Sequence, residues 1–563
     1  MSKRIFLSLI IVMAIIISLP YINFQDSLSQ GDHGRDLYAS VAVYRGELPY
    51  KDFWWVYGPL MPYYYGIFNF ILGTKISSIL VGKLLLKLVG GVLFFLAASV
   101  LMRPWLAFIA ACWFLLAQMD FFFTYNHIGG MVMTLGVMWA GLSYLKTNKI
   151  SYAWATLAFI AVLGLIKINF ALSAGVAFGL ALILNWITNP IARTQALTTP
   201  YKILYATGII GIPLWWLATY SFFLNGLTIA EIRQCLPYLG GDQPYNYPPS
   251  VTIPYYFNQH WLTIVHQWLN VQQLFTALSQ QANLISQQNF MILLIAGILN
   301  LCLHPIWHLS TLSSFIINFR LDIDGERRRL FWVSAVFLIG FFVLNFHEFV
   351  VSGVWYRSFW AQPQLVLFHF LTVSTVTMLL PKILRGVLVS AFVVLIAFGL
   401  FAQYQTITAK KTSSQILAMP RGNIYVGNEP AWVDTVTQVN NYLTTTVKKD
   451  ELFFALPYDT IYYYLAGKKT PTRQLIFFDH IKIPREQEEA VIRELEKNKT
   501  AYVVMSNRVA STETGLGVFG QTYCPLIYQY IMQNFAPVYK YGGNWQAEPG
   551  WANNHGVIVF KRK

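Results

Sequence analysis

The chain has 563 residues, of which 56% are hydrophobic and 12% are charged, and its mean hydropathy is +0.47. Because about 25% of the residues in a soluble protein are charged, this composition excludes an ordinary soluble protein and indicates an integral membrane protein. The net charge of +15 does not indicate nucleic-acid binding, since Lys and Arg are scattered in the connections between apolar segments.

About eleven apolar segments approach the roughly 20 residues that a membrane span requires, which predicts an α-helical polytopic membrane protein. The pair that covers 153–187 is interrupted by Lys167 and Asn169, so one re-entrant hairpin is an alternative to two spans. The segments lie near residues 5–21, 80–101, 104–119, 128–145, 153–167, 169–187, 203–224, 290–308, 330–346, 364–380 and 385–403.

Basic residues mark every second connection between these segments, which predicts a cytoplasmic N-terminus. The first outer loop (22–79), the connection 225–289 and the C-terminal region are then extracytoplasmic. The first segment is predicted to be an uncleaved span rather than a signal peptide, because LPYINFQDS after it contains no small-x-small site. The marking residues are Lys3, Arg4, Arg103, Lys146, Lys149, Arg193, Lys202, Arg320, Arg327, Arg328, Arg329, Lys382 and Arg385.

The first outer loop contains the stretch GDHGRDLYASVAVYRGELPYKDFWWVYGPLMPYYYG. Asp32 and Asp36 are four residues apart, so a helix places both carboxylates on one face, with His33 and Arg35 beside them. A carboxylate at the edge of a partly desolvated cavity can act as a general base. The alternative is that Asp32 caps a short helix, since Asp is a favoured N-cap residue.

Aromatic residues are dense in the same loop, and two interpretations fit them. An interfacial belt is the favoured one, because Trp and Tyr concentrate at membrane surfaces. The alternative is that their faces stack on sugar rings. The residues concerned are Tyr38, Tyr44, Tyr50, Trp54, Trp55 and Tyr57.

Two later regions lie on the same predicted side of the membrane. The connection 225–289 is rich in Gly, Pro and Tyr, which suits either a movable cover or a static interfacial loop. From about residue 404 the strand-like runs NIYVG, ELFFALP, AYVVMS and GVIVFKR occur with a charged helical stretch. We therefore predict a membrane domain over 1–403 and a soluble α/β domain over 404–563.

The pattern D-x-G-x-x-L-Y-x-x-x-x-x-x-x-G-E-L-P-Y-K-D-F-x-x-x-Y-G-P-L, from Asp32 to Leu60, resembles the first outer loop of GT-C membrane glycosyltransferases. It is most similar to the branch of protein O-mannosyltransferases, lipid A aminoarabinose transferases and bacterial family-39-like enzymes. These enzymes take a sugar from a polyprenyl phosphate at the outer membrane face. The resemblance implies the same fold and chemistry here.

In that family the loop Asp is the catalytic base, and Asp32 falls on its position. His33 replaces the usual acidic neighbour, which puts a paired-acid role in doubt and leaves His33 and Asp36 as possible supporting residues. The rest of the motif is expected to be architectural, namely Gly46, Pro49, Tyr50, Asp52, Gly58 and Pro59.

A lipid phosphate leaving group needs cations beside it. Lys83, one turn from Lys87, is a candidate phosphate ligand, although snorkelling to the interface is the alternative. Lys167 interrupts an apolar stretch, and an intramembrane Lys indicates function. The planar guanidinium of Arg357 suits the geometry of a phosphate group. Arg357 also lies before a Pro-containing span, as in the family. His347 and Glu348 are weaker candidates.

Asp120 and His127 occur in the second outer loop, where the resemblance implies a polar group on the acceptor or metal side. An ordinary polar loop is the alternative. Asp and His side chains can bind a divalent ion, but these spacings are not diagnostic. No cofactor follows from the sequence, and a divalent metal is left open.

The resulting hypothesis is a membrane glycosyltransferase, located in a bacterial inner membrane, that uses Asp32 as its general base. Its partners would be a polyprenyl-phosphate sugar donor, a hydroxyl acceptor on a lipid, cell-envelope glycan or protein, and membrane lipids, without nucleic acid. The alternatives are a transporter or lipid-linked sugar flippase, which intramembrane Lys and broken spans also suit, and a non-catalytic membrane subunit.

Overall fold

The computed structural model describes most of the chain, and the predicted span at 290–308, Asp120 and Arg357 lie outside the described part. The described residues are 2–18, 31–117, 125–236, 310, 312–318, 325–348, 360–378, 380–413, 415–426, 430–477, 483–507, 519–545 and 554–563.

A bundle of helices forms the first part of the chain, up to Ser413. Its helices are α1 (Lys3–Ser18), α2 (Gly31–Tyr44), α3 (Leu60–Leu72), α4 (Ile76–Leu101), α5 (Pro104–Ala117), α6 (Tyr125–Thr147), α7 (Ile150–Gly164), α8 (Ile168–Thr188), α9 (Pro190–Ala196), α10 (Thr199–Ala206), α11 (Ile212–Leu224), α12 (Ile229–Cys235), α13 (Gly325–Asn345), α14 (Gln362–Thr377) and α15 (Lys382–Ser413). A π-helical segment, Thr207–Gly211, joins α10 to α11.

Five helices in the described part are long and apolar enough to cross a membrane: Ile76–Leu101, Tyr125–Thr147, Ile168–Thr188, Thr199–Leu224 and Gly325–Asn345. Pro104–Leu116 and Ile150–Gly164 are shorter apolar helices. The polytopic helical fold is therefore confirmed, and the chain is an integral membrane protein. The number of eleven spans stays a prediction.

The pair predicted over 153–187 consists of two separate helices, α7 and α8, that pack against each other. Lys167 has extended backbone (φ −152°, ψ 97°) in the turn before α8. Lys167 therefore lies in the turn between the two helices, where the sequence predicts the break between the two apolar segments.

Basic residues of the alternate connections meet at one end of the bundle. Arg103, Lys146, Arg327 and Arg385 line the same cavity of about 560 Å³. This shared location is what a positive-inside distribution requires. Which end faces the cytoplasm stays a prediction.

The C-terminal part is an α/β unit, and the predicted boundary at 404 falls inside α15, which continues to Ser413. Its elements are β1 (Gln415–Leu417), β2 (Ile424–Val426), α16 (Pro430–Thr446), β3 (Phe453–Leu456), α17 (Ile461–Ala466), α18 (Arg485–Lys497), β4 (Tyr502–Ser506), α19 (Pro525–Asn534), β5 (Phe535–Gly542) and β6 (Gly556–Arg562).

The described strands form an antiparallel β1–β2 pair and a four-stranded sheet of order β3-β4-β6-β5. Strands β3 and β4 are parallel, whereas β6 is antiparallel to both β4 and β5. One face of the sheet packs on apolar residues of α18 and α19, through Phe454 and Val503. The other face, through Phe453 and Val504, belongs to the same apolar core as the membrane helices.

Helix α2 is held between the two parts of the protein, since it packs against α3 on one side and α17 on the other. The approach to α17 is close: a Cβ on Gly34 would lie 2.7 Å from the backbone nitrogen of Ile461. Only glycine permits such an approach. The sequence GDHGRD therefore places the candidate carboxylates directly against the C-terminal part.

Candidate functional site

Three charged residues of α2 form one ion-pair cluster, which we call the α2 cluster: Asp32, Arg35 and Asp36. Arg35 Nη1 lies 2.8 Å from Asp32 Oδ1, and Arg35 Nη2 lies 2.9 Å from Asp36 Oδ1. The side chains of Arg35 and Asp36 are only 3% and 1% exposed, whereas that of Asp32 is 46% exposed. The cluster therefore presents a single accessible carboxylate, that of Asp32.

The buried half of the cluster has a structural partner in the bundle. Asp36 Oδ2 accepts a hydrogen bond of 2.9 Å from the backbone N–H of Tyr125, the first residue of α6. A carboxylate at a helix N-terminus interacts favourably with the helix dipole. Asp36 therefore anchors both Arg35 and α6. Helix α2 begins at Gly31, so Asp32 lies within the first turn of α2 and is not the N-cap residue before it.

Burial and neighbouring charges shift the pKa values of Arg35 and Asp36 in opposite directions. Burial lowers the pKa of Arg35, but the carboxylates of Asp32 and Asp36 outweigh it, and the pKa ends well above its usual value. Burial raises the pKa of Asp36, while Arg35 and the Tyr125 N–H oppose that shift. Arg35 consequently stays a cation between the two carboxylates.

The aromatic residues of the loop pack inside the protein, so the interfacial-belt interpretation is wrong for most of them. Tyr38, Tyr50, Trp54 and Trp55 are buried, and only Tyr44 is largely exposed. The guanidinium of Arg35 lies 5.3 Å from the ring centre of Trp55 and 5.2 Å from that of Tyr57. These distances are within the range of cation–π attraction.

A line of ring contacts connects the α2 cluster to Lys167. The ring of His127 is 5.4 Å from that of Tyr57 and stacks on Trp360 at 4.1 Å. The ammonium of Lys167 is 5.6 Å from the centre of the Trp360 ring. His127 and Lys167, which are separate candidates in the sequence, are thus joined by one continuous row of ring contacts.

Lys167 forms a buried ion pair with Glu348, with Nζ 2.6 Å from Oε1. Asn169 donates to the same carboxylate, and its amide nitrogen lies 3.3 Å from His347 Nε2. Sequence reasoning ranked His347 and Glu348 low and did not pair either with Lys167. A carboxylate beside the predicted phosphate ligand is therefore a new feature of the site.

Lys83 and Lys87 are both buried in α4, on a helix that packs against α3 and α6. Snorkelling requires an ammonium that reaches water, so this alternative is wrong for the described structure. The role of Lys83 as a phosphate ligand stays a prediction.

The remaining motif residues build a turn between α2 and α3. Gly46 and Tyr50 have φ of 87° and 68°, and Asp52 Oδ2 accepts a hydrogen bond of 2.7 Å from the Leu48 N–H. Pro49 pairs with Phe53 in an isolated β-bridge. These contacts hold the shape of the turn, and the architectural role of these residues stays a prediction.

Gly58 connects this turn to the α7–α8 turn. Its N–H donates to the Ile166 carbonyl at 3.0 Å, and a Cβ there would lie 2.1 Å from the Leu165 carbonyl oxygen. Asn126 donates to the carbonyls of both Gly58 and Ile166. Pro59 then precedes α3. The Gly58-Pro59 pair thus docks the loop beside Lys167.

The C-terminal part contributes directly to the α2 cluster. The hydroxyl of Tyr458 donates a hydrogen bond of 2.7 Å to Asp32 Oδ1. Tyr458 lies in the stretch LPYDTIYYY, and the sequence alone assigns no catalytic residue there. What the sequence does not predict is the pairing of Tyr458 with Asp32 and of Glu348 with Lys167.

Among the described residues, no group of three or more His, Cys, Asp or Glu side chains is arranged to hold a metal ion. Asp120, a sequence candidate for such a group, lies outside them. Binding of a divalent metal therefore stays an open prediction.

Solved structures share this architecture over almost the whole chain. ArnT, a lipid A aminoarabinose transferase from Cupriavidus metallidurans, matches in its undecaprenyl phosphate complex with a TM-score of 0.53 and 12% identity. The match covers 99% of this chain and 97% of that one. The chain has the GT-C fold.

Further GT-C structures agree. Apo ArnT matches with a TM-score of 0.51 and 13% identity, covering 99% of this chain and 97% of that one. The apo oligosaccharyltransferase of Archaeoglobus fulgidus matches with a TM-score of 0.50 and 11% identity, covering 99% and 76%. No protein-family model and no curated protein sequence matches the chain. At these identities the likeness concerns the fold.

Proposed function

We propose that this protein is a membrane glycosyltransferase that moves a sugar from a polyprenyl-phosphate donor to a hydroxyl acceptor. The acceptor would be a lipid, a cell-envelope glycan or a protein at the extracytoplasmic face of a bacterial inner membrane. Asp32 would act as general base. The GT-C fold supports this class of reaction, and the fold is shared with ArnT, whose solved complex contains undecaprenyl phosphate.

The observation that carries the proposal is the exposure pattern of the α2 cluster. Asp32 is 46% exposed while its partner Arg35 is almost completely buried. An acceptor hydroxyl must lose a proton as it attacks the anomeric carbon, and a fixed, accessible carboxylate can accept that proton. Asp36, by contrast, is buried and engaged by α6, so the base assignment falls on Asp32.

The leaving phosphate requires a cation. Lys167 suits this role because its ammonium lies 5.6 Å from the Trp360 ring, which stacks on His127 and continues the row of ring contacts from the α2 cluster. Lys83 and Arg357 remain further candidates from the sequence. In our proposal Glu348 compensates the buried charge of Lys167 when no phosphate is bound, since an unpaired buried ammonium is costly.

Replacing Lys167 by Met is expected to weaken binding of undecaprenyl phosphate at least tenfold, or about 1.4 kcal/mol, because the phosphate loses its cation. Binding can be measured by competition against a fluorescent polyprenyl phosphate in detergent. Glu348→Gln is the matched variant: it keeps the ammonium and removes its carboxylate, so binding should be retained or tightened. Equal weakening by both variants would identify the pair as purely structural.

The reaction class is tested with purified wild-type protein and undecaprenyl-phosphate sugars that carry a radiolabelled hexose or pentose. We expect the label to appear covalently on an acceptor in added membrane extract, together with release of undecaprenyl phosphate. An assay with the protein reconstituted in sealed vesicles distinguishes sugar transfer from lipid flipping. Movement of intact labelled lipid across the bilayer without covalent transfer would support the flippase alternative and contradict the proposal.

A further inference from the structure

A tyrosine from the C-terminal part contacts the exposed carboxylate of the α2 cluster. Tyr458 and Asp32 are 426 positions apart, and the Tyr458 hydroxyl donates to Asp32 Oδ1 at 2.7 Å. The same oxygen lies 2.8 Å from Arg35 Nη1. One oxygen of the proposed base therefore accepts a hydrogen bond from the C-terminal part and forms an ion pair within its own helix.

The segment that carries Tyr458 is fixed from two sides. It follows β3 and precedes α17, and the carbonyl of Pro457 accepts from the N–H of Phe477 at 2.8 Å. Asp459 accepts a hydrogen bond from Ser506, the last residue of β4. The carboxyl ends of the two parallel strands thus hold this segment against α2.

On the α2 side of the contact, a glycine leaves room for the ring of Tyr458. Gly31 has φ of 23°, and a Cβ there would lie only 2.0 Å from the ring of Tyr458. Thr460 Oγ1 also donates to the Gly31 carbonyl at 3.4 Å. A side chain at position 31 would displace the ring of Tyr458. The contact therefore depends both on the glycine in α2 and on the position of the segment that carries Tyr458.

We propose that Tyr458 is a positioning residue for the base Asp32, so that the C-terminal part completes the active site. The inference rests on the proposed function. The two donors fix the orientation of the carboxylate, and hydrogen bonds to a carboxylate favour its ionised form. Among the described residues, the ionisable groups around Asp32 include Arg35 and Asp36 on its own helix, Tyr57 beside Arg35, and Tyr458.

Tyr458→Phe tests the role, because it removes the hydroxyl and keeps the ring beside Gly31. The expected result is a kcat lower by about 10- to 100-fold with an unchanged donor KM, since a hydrogen bond to a charged group is lost where the proton is accepted. The acidic limb of the kcat/KM profile should move to higher pH, because the carboxylate loses a donor that favours its charged form.

The matched control is Tyr462→Phe. Tyr462 is buried in the adjacent helix α17, and its hydroxyl has no hydrogen-bond partner among the described residues. This control should keep both the wild-type kcat and the wild-type pH profile. A lowered kcat in both variants, without movement of the acidic limb, would mean that Tyr458 only supports packing and would overturn the inference.

Two failures are distinguishable in the same assay. If the wild-type protein transfers sugar and Tyr458→Phe matches it in kcat and pH profile, Tyr458 does not position the base. If the wild-type protein transfers no sugar from any labelled donor, the proposed function itself fails, and the catalytic role of Tyr458 fails with it.

Discussion

Replacing Asp32 by Asn is expected to lower the rate of sugar transfer by about 10²- to 10⁴-fold, the usual contribution of a general base. The amide keeps the size of the side chain and its ability to accept from Arg35 and Tyr458, but it cannot take a proton from the acceptor hydroxyl. Binding of undecaprenyl phosphate should change little, because the proposed phosphate ligand Lys167 is untouched. The rate is measured as radiolabel transferred per enzyme under saturating donor.

Asp52→Asn is the matched control for this prediction. Asp52 is an exposed carboxylate of the same loop that accepts from the Leu48 N–H, and it has the same chemistry without a place in the α2 cluster. It should retain transfer within a few-fold of wild type. Retention of the wild-type rate by Asp32→Asn would remove Asp32 as the base and direct attention to another carboxylate.

Local patterns in the sequence were sufficient for the helical architecture. Long apolar runs predict helices wherever the structure describes them. The four-residue spacing of Asp32 and Asp36 predicts that a helix would bring the two carboxylates together, and in α2 both pair with Arg35. The strand-like runs after residue 404 likewise fall on β2, β3, β4 and β6. These features depend on residues that are neighbours in the chain, so periodicity records them.

The partners within the site could not be predicted in this way. Glu348 pairs with Lys167 across 181 positions, and Tyr458 reaches Asp32 across 426. Such contacts depend on how distant helices pack, and no periodic signal encodes that. A charged residue in an apolar stretch indicates only that some partner is needed, as was the case for Lys167.

The aromatic residues show why composition alone can mislead. Trp and Tyr near a predicted span fit an interfacial belt, but Trp54 and Trp55 are buried in the core of the loop. The indole N–H of Trp55 donates to the Gly58 carbonyl at 3.0 Å, and its ring lies beside Arg35. An interfacial belt and a buried aromatic core contain the same residue types, so only the tertiary structure distinguishes them.

Replacing Arg35 by Met is expected to reduce the free energy of unfolding by about 3–5 kcal/mol, the cost of removing one member of a buried ion pair. Asp36, 1% exposed, would lose the cation that compensates it beside Asp32. The loss is measured by denaturation in detergent, followed by tryptophan fluorescence. Transfer activity should fall as well, since the orientation of Asp32 depends on the guanidinium.

Two further variants decide whether this loss comes from the buried charge. Adding Asp36→Asn to Arg35→Met should restore part of the stability, because the uncompensated carboxylate is then absent. Arg45→Met removes a guanidinium 22% exposed and paired with Glu47 at 2.9 Å, and it should cost only about 1 kcal/mol because Lys469, 3.3 Å from the same carboxylate oxygen, still compensates its charge. A double variant no more stable than Arg35→Met would instead assign the loss to the ring contacts of Arg35 with Trp55 and Tyr57.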